Sequence, residues 1–210
     1  MALHALSHPN PLATRIRALA SEKDPASLVD HEGTILFVNE AWERSLRENT
    51  GGAACLGEAL VGTAWLDHVA GAEPRRQHQR FLELALHRMG NGPGGSVIQV
   101  SENNSPTLAR LIATHFEPIV TPSREVLGVT VVHRLVRERP LTEVYSVVSG
   151  PDSEFLDSDG RASQCSCCRR TLHGEDWEFV PELLASSPAK VEYVFCPLCL
   201  DLHYLIPEDL

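Results

Sequence analysis

Apolar and polar positions along the chain fall into segments of two different periods. Leu12, Ile16 and Leu19 recur at helical spacing after an Asn10-Pro11 pair, a capping residue followed by one tolerated at the first helical position. A short amphipathic helix is predicted there. Leu28 and Val29 then read as strand, "DHEG" (Asp30 to Gly33) as a tight turn, and "TILFVN" (Thr34 to Asn39) as a β-branched and aromatic strand. Asn39 is placed to cap the helix "EAWERSLREN". Glycines and alanines between Thr50 and Gly62 predict a loop, and "TAWLDHV" one helical turn.

The longest helical pattern is "EPRRQHQRFLELALHRMG", Glu73 to Gly90, with Phe81, Leu82, Leu84, Ala85 and Met89 on its apolar side. Three strand-like runs follow, "SVIQVSE", "LARLIATHFEPIV" and "VLGVTVVHRLV", separated by the turn segments "ENNSP" and "TPSRE". The order strand, strand, helices, strand, strand, strand favours an α+β domain. It would hold a five-stranded antiparallel sheet with helices on one face. From Arg137 the chain turns polar, consistent with a linker carrying a short helix at "LTEVYSVV". The predicted organisation is a helix at 1–23, an α+β domain at 24–136, a linker at 137–160 and a cysteine module at 161–210.

This element order is similar to that of the PAS fold, and "DHEGTILFVNEAWERSLRENTGG" (Asp30 to Gly52) resembles PAS domains of bacterial sensory proteins. These often have an acidic-glycine turn, a strand ending in Val-Asn, and Ala-Trp in the next helix. The resemblance spans Asp24 to Arg134 and implies ligand sensing or dimerisation. Two features depart from it. Arg134-Leu135-Val136 stands where the family usually has Asp-x-Thr, and Cys55 lies in "GAACLG", without the surroundings of a flavin photoreceptor cysteine. His78 and His87 lie on the long helix, where haem-binding PAS domains place an axial ligand. With no supporting motif they read as solvated helix histidines. Trp65 and Phe81 read as core.

The chemistry concentrates in the C-terminal segment. Cys165 and Cys168 form one C-x-x-C and Cys196 and Cys199 a second, with 27 residues between the pairs. Two such turns supply four thiolates, the donor set of a closed, structural tetrahedral zinc site. A helix beginning at the second pair would aim backbone N–H groups at the sulfurs. The arrangement resembles a treble-clef or zinc-ribbon knuckle. The segment Asp157 to Tyr204 also resembles a tail found after PAS or receiver domains in bacterial signalling proteins, through "CSCCRR", Trp177, "FVPELL", "CPLC" and "LHYL". "EYVF" stands where that family commonly has Ser-His-Gly. Cys167 reads as a spare thiol facing away, and His173 and His203 as substitute ligands for which four cysteines leave no vacancy. A dithiol switch or an iron–sulfur site remains the alternative.

The chain of 210 residues carries a formal net charge of −10, which disfavours binding to phosphate backbones. Within 161–210, four Lys/Arg face eight Asp/Glu. A protein partner is therefore expected for the module rather than nucleic acid. There is no apolar run of about 18 residues and no secretory signal pattern. A cytoplasmic setting, where thiols stay reduced, is the resulting expectation. No P-loop, G-x-S-x-G or H-E-x-x-H occurs, so no enzyme is expected. The reading is a non-enzymatic signalling sensor or adaptor, expected to form a homodimer, with one structural zinc per chain and an unidentified PAS ligand. Two alternatives stand beside it, a redox sensor using the cysteine cluster and a dimerisation scaffold with no ligand.

Overall fold

The computed structural model describes residues 10–48, 57–69, 71–87, 96–185 and 191–204. Its first sheet has five strands in the order β2-β1-β5-β4-β3: β1 (Ala26–Asp30), β2 (Ile35–Val38), β3 (Val97–Glu102), β4 (Leu108–Val120) and β5 (Val126–Pro140). β1 pairs antiparallel with both β2 and β5. Hairpins closed by Ser105 N–H to Leu108 O and Thr121 N–H to Glu125 O connect β3 to β4 and β4 to β5. The helices are α1 (Pro11–Ala20), α2 (Glu40–Glu48), α3 (Gly57–Leu60) and α4 (Ala72–His87), with a 3-10 turn at Trp65–His68. The fold is thus α+β with a five-stranded antiparallel sheet. β5 continues past Val136 through the polar stretch to Pro140, because backbone pairing does not need apolar side chains.

Two compact units divide the chain. One comprises Met1–Trp65, Leu82–Val97 and His115–Val132; the other comprises Leu66–Phe81, Ile98–Thr114 and His133–Leu210. In the first, Asn10 caps α1 by accepting from Leu12 N–H at 3.0 Å. The apolar stripe of α1, Leu12, Ile16 and Leu19, then packs on Ala26, Leu28, Ile119 and Val132. Val29, Val129 and Val131 point to the opposite side of the sheet and are fully buried, so side chains of both faces are enclosed there. The stripe of α1 matches the face carrying Ala26 and Leu28.

Asn39 caps α2 as expected, accepting from Trp42 N–H at 2.9 Å. It also accepts from Ala26 N–H and donates to the carbonyls of Leu19, Glu22 and Asp24. One buried amide thereby joins the end of α1, the start of β1 and the start of α2. Gly33 takes φ +88°, which the "DHEG" turn requires of a residue without Cβ. Trp65 meets Phe116 edge-on at 5.9 Å, as core.

The second unit contains a four-stranded sheet in the order β8-β7-β6-β9, from β6 (Ala162–Cys165), β7 (Thr171–His173), β8 (Asp176–Glu178) and β9 (Val191–Val194). β6 pairs antiparallel with β7 and parallel with β9, and β7 with β8 forms a hairpin. Helices α5 (Leu141–Val144), α6 (Pro181–Ala185) and α7 (Pro197–Tyr204) complete it. The "LTEVYSVV" segment carries the short helix predicted for it, and "PELLA" forms α6. Leu141, Phe179 and Leu184 form one small core, and Phe155, Val180 and Leu183 another. Among the described residues no helix is long and apolar enough to cross a membrane.

Candidate metal centre

Cys165 is the last residue of β6, and the chain turns back immediately after it. Arg169 N–H donates to Cys165 O at 2.9 Å, and Cys165 N–H donates to Arg170 O at 2.7 Å. Arg169 adopts φ +67° to close this turn, a conformation that costs a residue with a Cβ about 1–2 kcal/mol. The turn is therefore held by its surroundings. Ser166 N–H donates to Val194 O, and the Arg169 guanidinium lies 5.6 Å from the Tyr193 ring centre. On the other side, Pro197 opens α7, so Cys196 and Cys199 flank its first turn, and Leu200 N–H closes on Cys196 O at 2.8 Å.

These two turns bring Cys165, Cys168, Cys196 and Cys199 together. Their sulfurs lie within 4.8 Å of one another, and all four residues are buried. None is in a disulfide. Bonds of ~2.3 Å to a tetrahedral zinc place ligand sulfurs about 3.8 Å apart. The Cys168–Cys196 separation is 3.7 Å, so the donor set fits that ion.

Proton sharing within the cluster shows what a cation would supply. Hydrogen bonds from the thiols of Cys168, Cys196 and Cys199, with the Cys196 backbone amide, hold Cys165 far below the ordinary thiol range. Cys168 and Cys199 are pushed up, chiefly by hydrogen bonding to Cys165. Cys196 falls to about 7. Its contact with Cys165 opposes ionisation, and those with Cys168 and Cys199 outweigh it. Without a cation the cluster resists full ionisation, because each added thiolate repels the one already present. A dication removes that penalty.

One positive charge is already in place. Arg170 directs Nε at Cys168 Sγ (3.2 Å) and a terminal nitrogen at Cys196 Sγ (3.8 Å). Burial opposes its charge, but the hydrogen bond to Cys168 and the attraction of Cys168, Cys196 and Cys199 together outweigh burial and raise its pKa. The guanidinium also sits 5.8 Å from the Tyr145 ring centre. The Tyr145 phenol is pushed up by burial and then by its hydrogen bond to Glu102.

A second tie comes from the β3–β4 turn. Buried Asn104 donates to Cys168 O at 2.9 Å and accepts from Arg110 N–H at 2.8 Å. Cys167, expected to face away, is itself buried and donates through Sγ to Glu102 O at 3.5 Å. Sequence reasoning missed Arg170, Asn104 and Glu102. Only the Arg-Arg directly after Cys168 gave any local signal, since a cation beside a C-x-x-C offsets thiolate charge.

The remaining candidates lie elsewhere. His173 pairs with Glu178 at 2.8 Å and packs edge-on to Phe155. It is not among the clustered ligands, and the side chain of His203 lies outside the described residues, as does Cys55. His78, read as a solvated helix histidine, lies near His133 of β5, whose pKa is lowered to about 4 by burial and then by His78. His133 Nδ1 is 3.0 Å from Thr114 Oγ1. The His87 side chain is outside the described residues.

No family model matches the chain, and no curated protein matches it. Solved structures do resemble it. The PAS domain of Bordetella pertussis BvgS matches at 15% identity and TM-score 0.40, over 62% of this chain and 89% of that one. A sensory box sensor histidine kinase from Vibrio cholerae matches at 17% identity and TM-score 0.40, over 60% of this chain and 89% of that one. The Vibrio cholerae VqmA dimer matches at 12% identity and TM-score 0.43, over 68% of this chain and 56% of that one. At such identities the reading of this chain rests on its own residues.

Proposed function

We propose that the chain is a non-enzymatic signalling sensor or adaptor whose C-terminal module, at 161–210, is held together by one structural zinc ion. The observation that carries this reading is the convergence of four buried cysteine sulfurs, none in a disulfide, within 4.8 Å of one another. Cys165, Cys168, Cys196 and Cys199 would hold the ion as thiolates. The knuckle after β6, the β7–β8 hairpin and α7 are the parts of a treble clef. Zinc supplies folding energy to such small modules directly. Four thiolates leave no open coordination position, which favours a structural over a catalytic role.

The five-stranded sheet and its helices then serve as a PAS-like sensor, detecting an unidentified ligand or pairing with a second copy. The module serves as a contact surface for a protein partner of a signalling pathway in the cytoplasm. Its excess of acidic residues, increased by a net −2 from the zinc–thiolate centre, opposes nucleic-acid binding. Elemental analysis of purified, untagged protein tests the reading. Near one zinc and no iron per chain supports it. Absence of zinc after chelator-free, reducing purification sinks it, and iron would redirect attention to a haem or iron–sulfur site.

A further inference from the structure

The zinc reading uses four of the five cysteines in the module, and the fifth is not a bystander. Cys167 sits inside the knuckle, between two ligands in sequence, with its side chain buried. It packs in one buried cluster with Cys199 and the other three ligand cysteines, and the Cys199 thiol is pushed up first by Cys165 and next by its contact with Cys167. A buried cysteine is ordinarily an inert small hydrophobe. One held against a zinc-binding thiolate has a different option, because disulfides form when a thiol reaches an oxidised sulfur beside it.

We propose that Cys167 is the resolving thiol for Cys199, making this edge of the centre a reversible site of oxidation by hydroperoxides. The proposal rests on the zinc reading above. The Cys199 thiolate attacks the peroxide O–O bond, which breaks; with one proton taken up, Cys199 becomes a sulfenic acid and one water leaves from hydrogen peroxide, or one alcohol from an alkyl hydroperoxide. The Cys167 thiol then attacks the Cys199 sulfur, the S–OH bond breaks, a water leaves and a Cys167–Cys199 disulfide forms. Two sulfurs lose two electrons in all, and the peroxide gains them. Zinc keeps three thiolates and its affinity falls. The same step withdraws the Cys167 S–H from Glu102 O, a tie between the knuckle and β3. Oxidation is thereby reported to the larger sheet.

The test uses the full chain, with zinc content measured first. Hydrogen peroxide is added stepwise, released zinc is read with a chromophoric chelator, and disulfides are mapped by mass spectrometry after alkylation. The expected product is a Cys167–Cys199 disulfide, formed as zinc leaves and reversed by a dithiol reductant with zinc rebinding. Cys167→Ser should bind zinc equally but lose most of that recovery, with Cys199 carried on to sulfinic acid. A first disulfide that excludes Cys167, or full recovery in Cys167→Ser, would overturn the proposal. Should that variant not fold, the disulfide map of the unmodified chain decides alone. If the untreated chain carries no zinc, the zinc reading fails, while the map still decides whether Cys167 resolves Cys199.

Discussion

Arg170→Met removes the guanidinium aimed at the sulfur cluster while keeping most of the side chain's length and apolar stem. Wild-type Arg170 reaches Cys168 Sγ at 3.2 Å and Cys196 Sγ at 3.8 Å, and only the first is a short contact. A hydrogen bond to a charged group contributes about 1.5–3 kcal/mol, and partial solvent exposure favours the lower end. Groups that hydrogen-bond to metal ligands typically account for about 10–100-fold in metal affinity. At ~1.4 kcal/mol per tenfold the two estimates agree on a loss of about tenfold. Competition against a chromophoric zinc chelator at fixed neutral pH reads this directly. Arg169→Met is the control. Its guanidinium lies over Tyr193 rather than against a sulfur, so it should lose less zinc affinity than Arg170→Met. Equal affinity in Arg170→Met and wild type, with the fold intact by circular dichroism, would refute the view that Arg170 offsets thiolate charge.

Asn104→Ala removes a buried donor to Cys168 O and a buried acceptor for Arg110 N–H. It should cost about 1–3 kcal/mol, read as a lower chemical-denaturation midpoint. His133, with its pKa lowered from 6.5 to about 4, is held neutral in the fold. The unfolded chain therefore gains its proton first as pH falls. His133 contributes nothing adverse above about 6.5, and stability should decline through the window from 6.5 to about 4. Zinc-saturated His133→Gln, compared with zinc-saturated wild type, should show a shallower decline. Gly128→Ala would place a Cβ 2.3 Å from Val29 O, a backbone atom of the paired strand β1. The pairing must shift, and a fall in melting temperature with loss of strand signal in circular dichroism is expected.

Local chemistry was legible in the sequence, and long-range chemistry was not. The Asn10 and Asn39 caps, the Gly33 turn and β4 follow from turn residues and periodicity within a few positions. The two C-x-x-C pairs are equally local, and their likeness to known knuckles suggested that they converge. What could not be read is what a distant segment brings. Asn104 bonds to Cys168 across 64 residues, and Cys167 finds Glu102 across 65. The same limit applies to His78, whose helix position suggested solvent until β5 placed His133 near it. Asn39 shows both cases in one side chain, since its cap was predictable and its bonds to Leu19, Glu22 and Asp24 were not.

X-ray absorption at the zinc K-edge of the purified chain tests the central claim most directly, because it reads the donor atoms themselves. Four sulfurs at about 2.3 Å and no nitrogen or oxygen neighbour is the result expected from Cys165, Cys168, Cys196 and Cys199. Fewer than four sulfurs, a histidine nitrogen in the shell, or no bound zinc would contradict it.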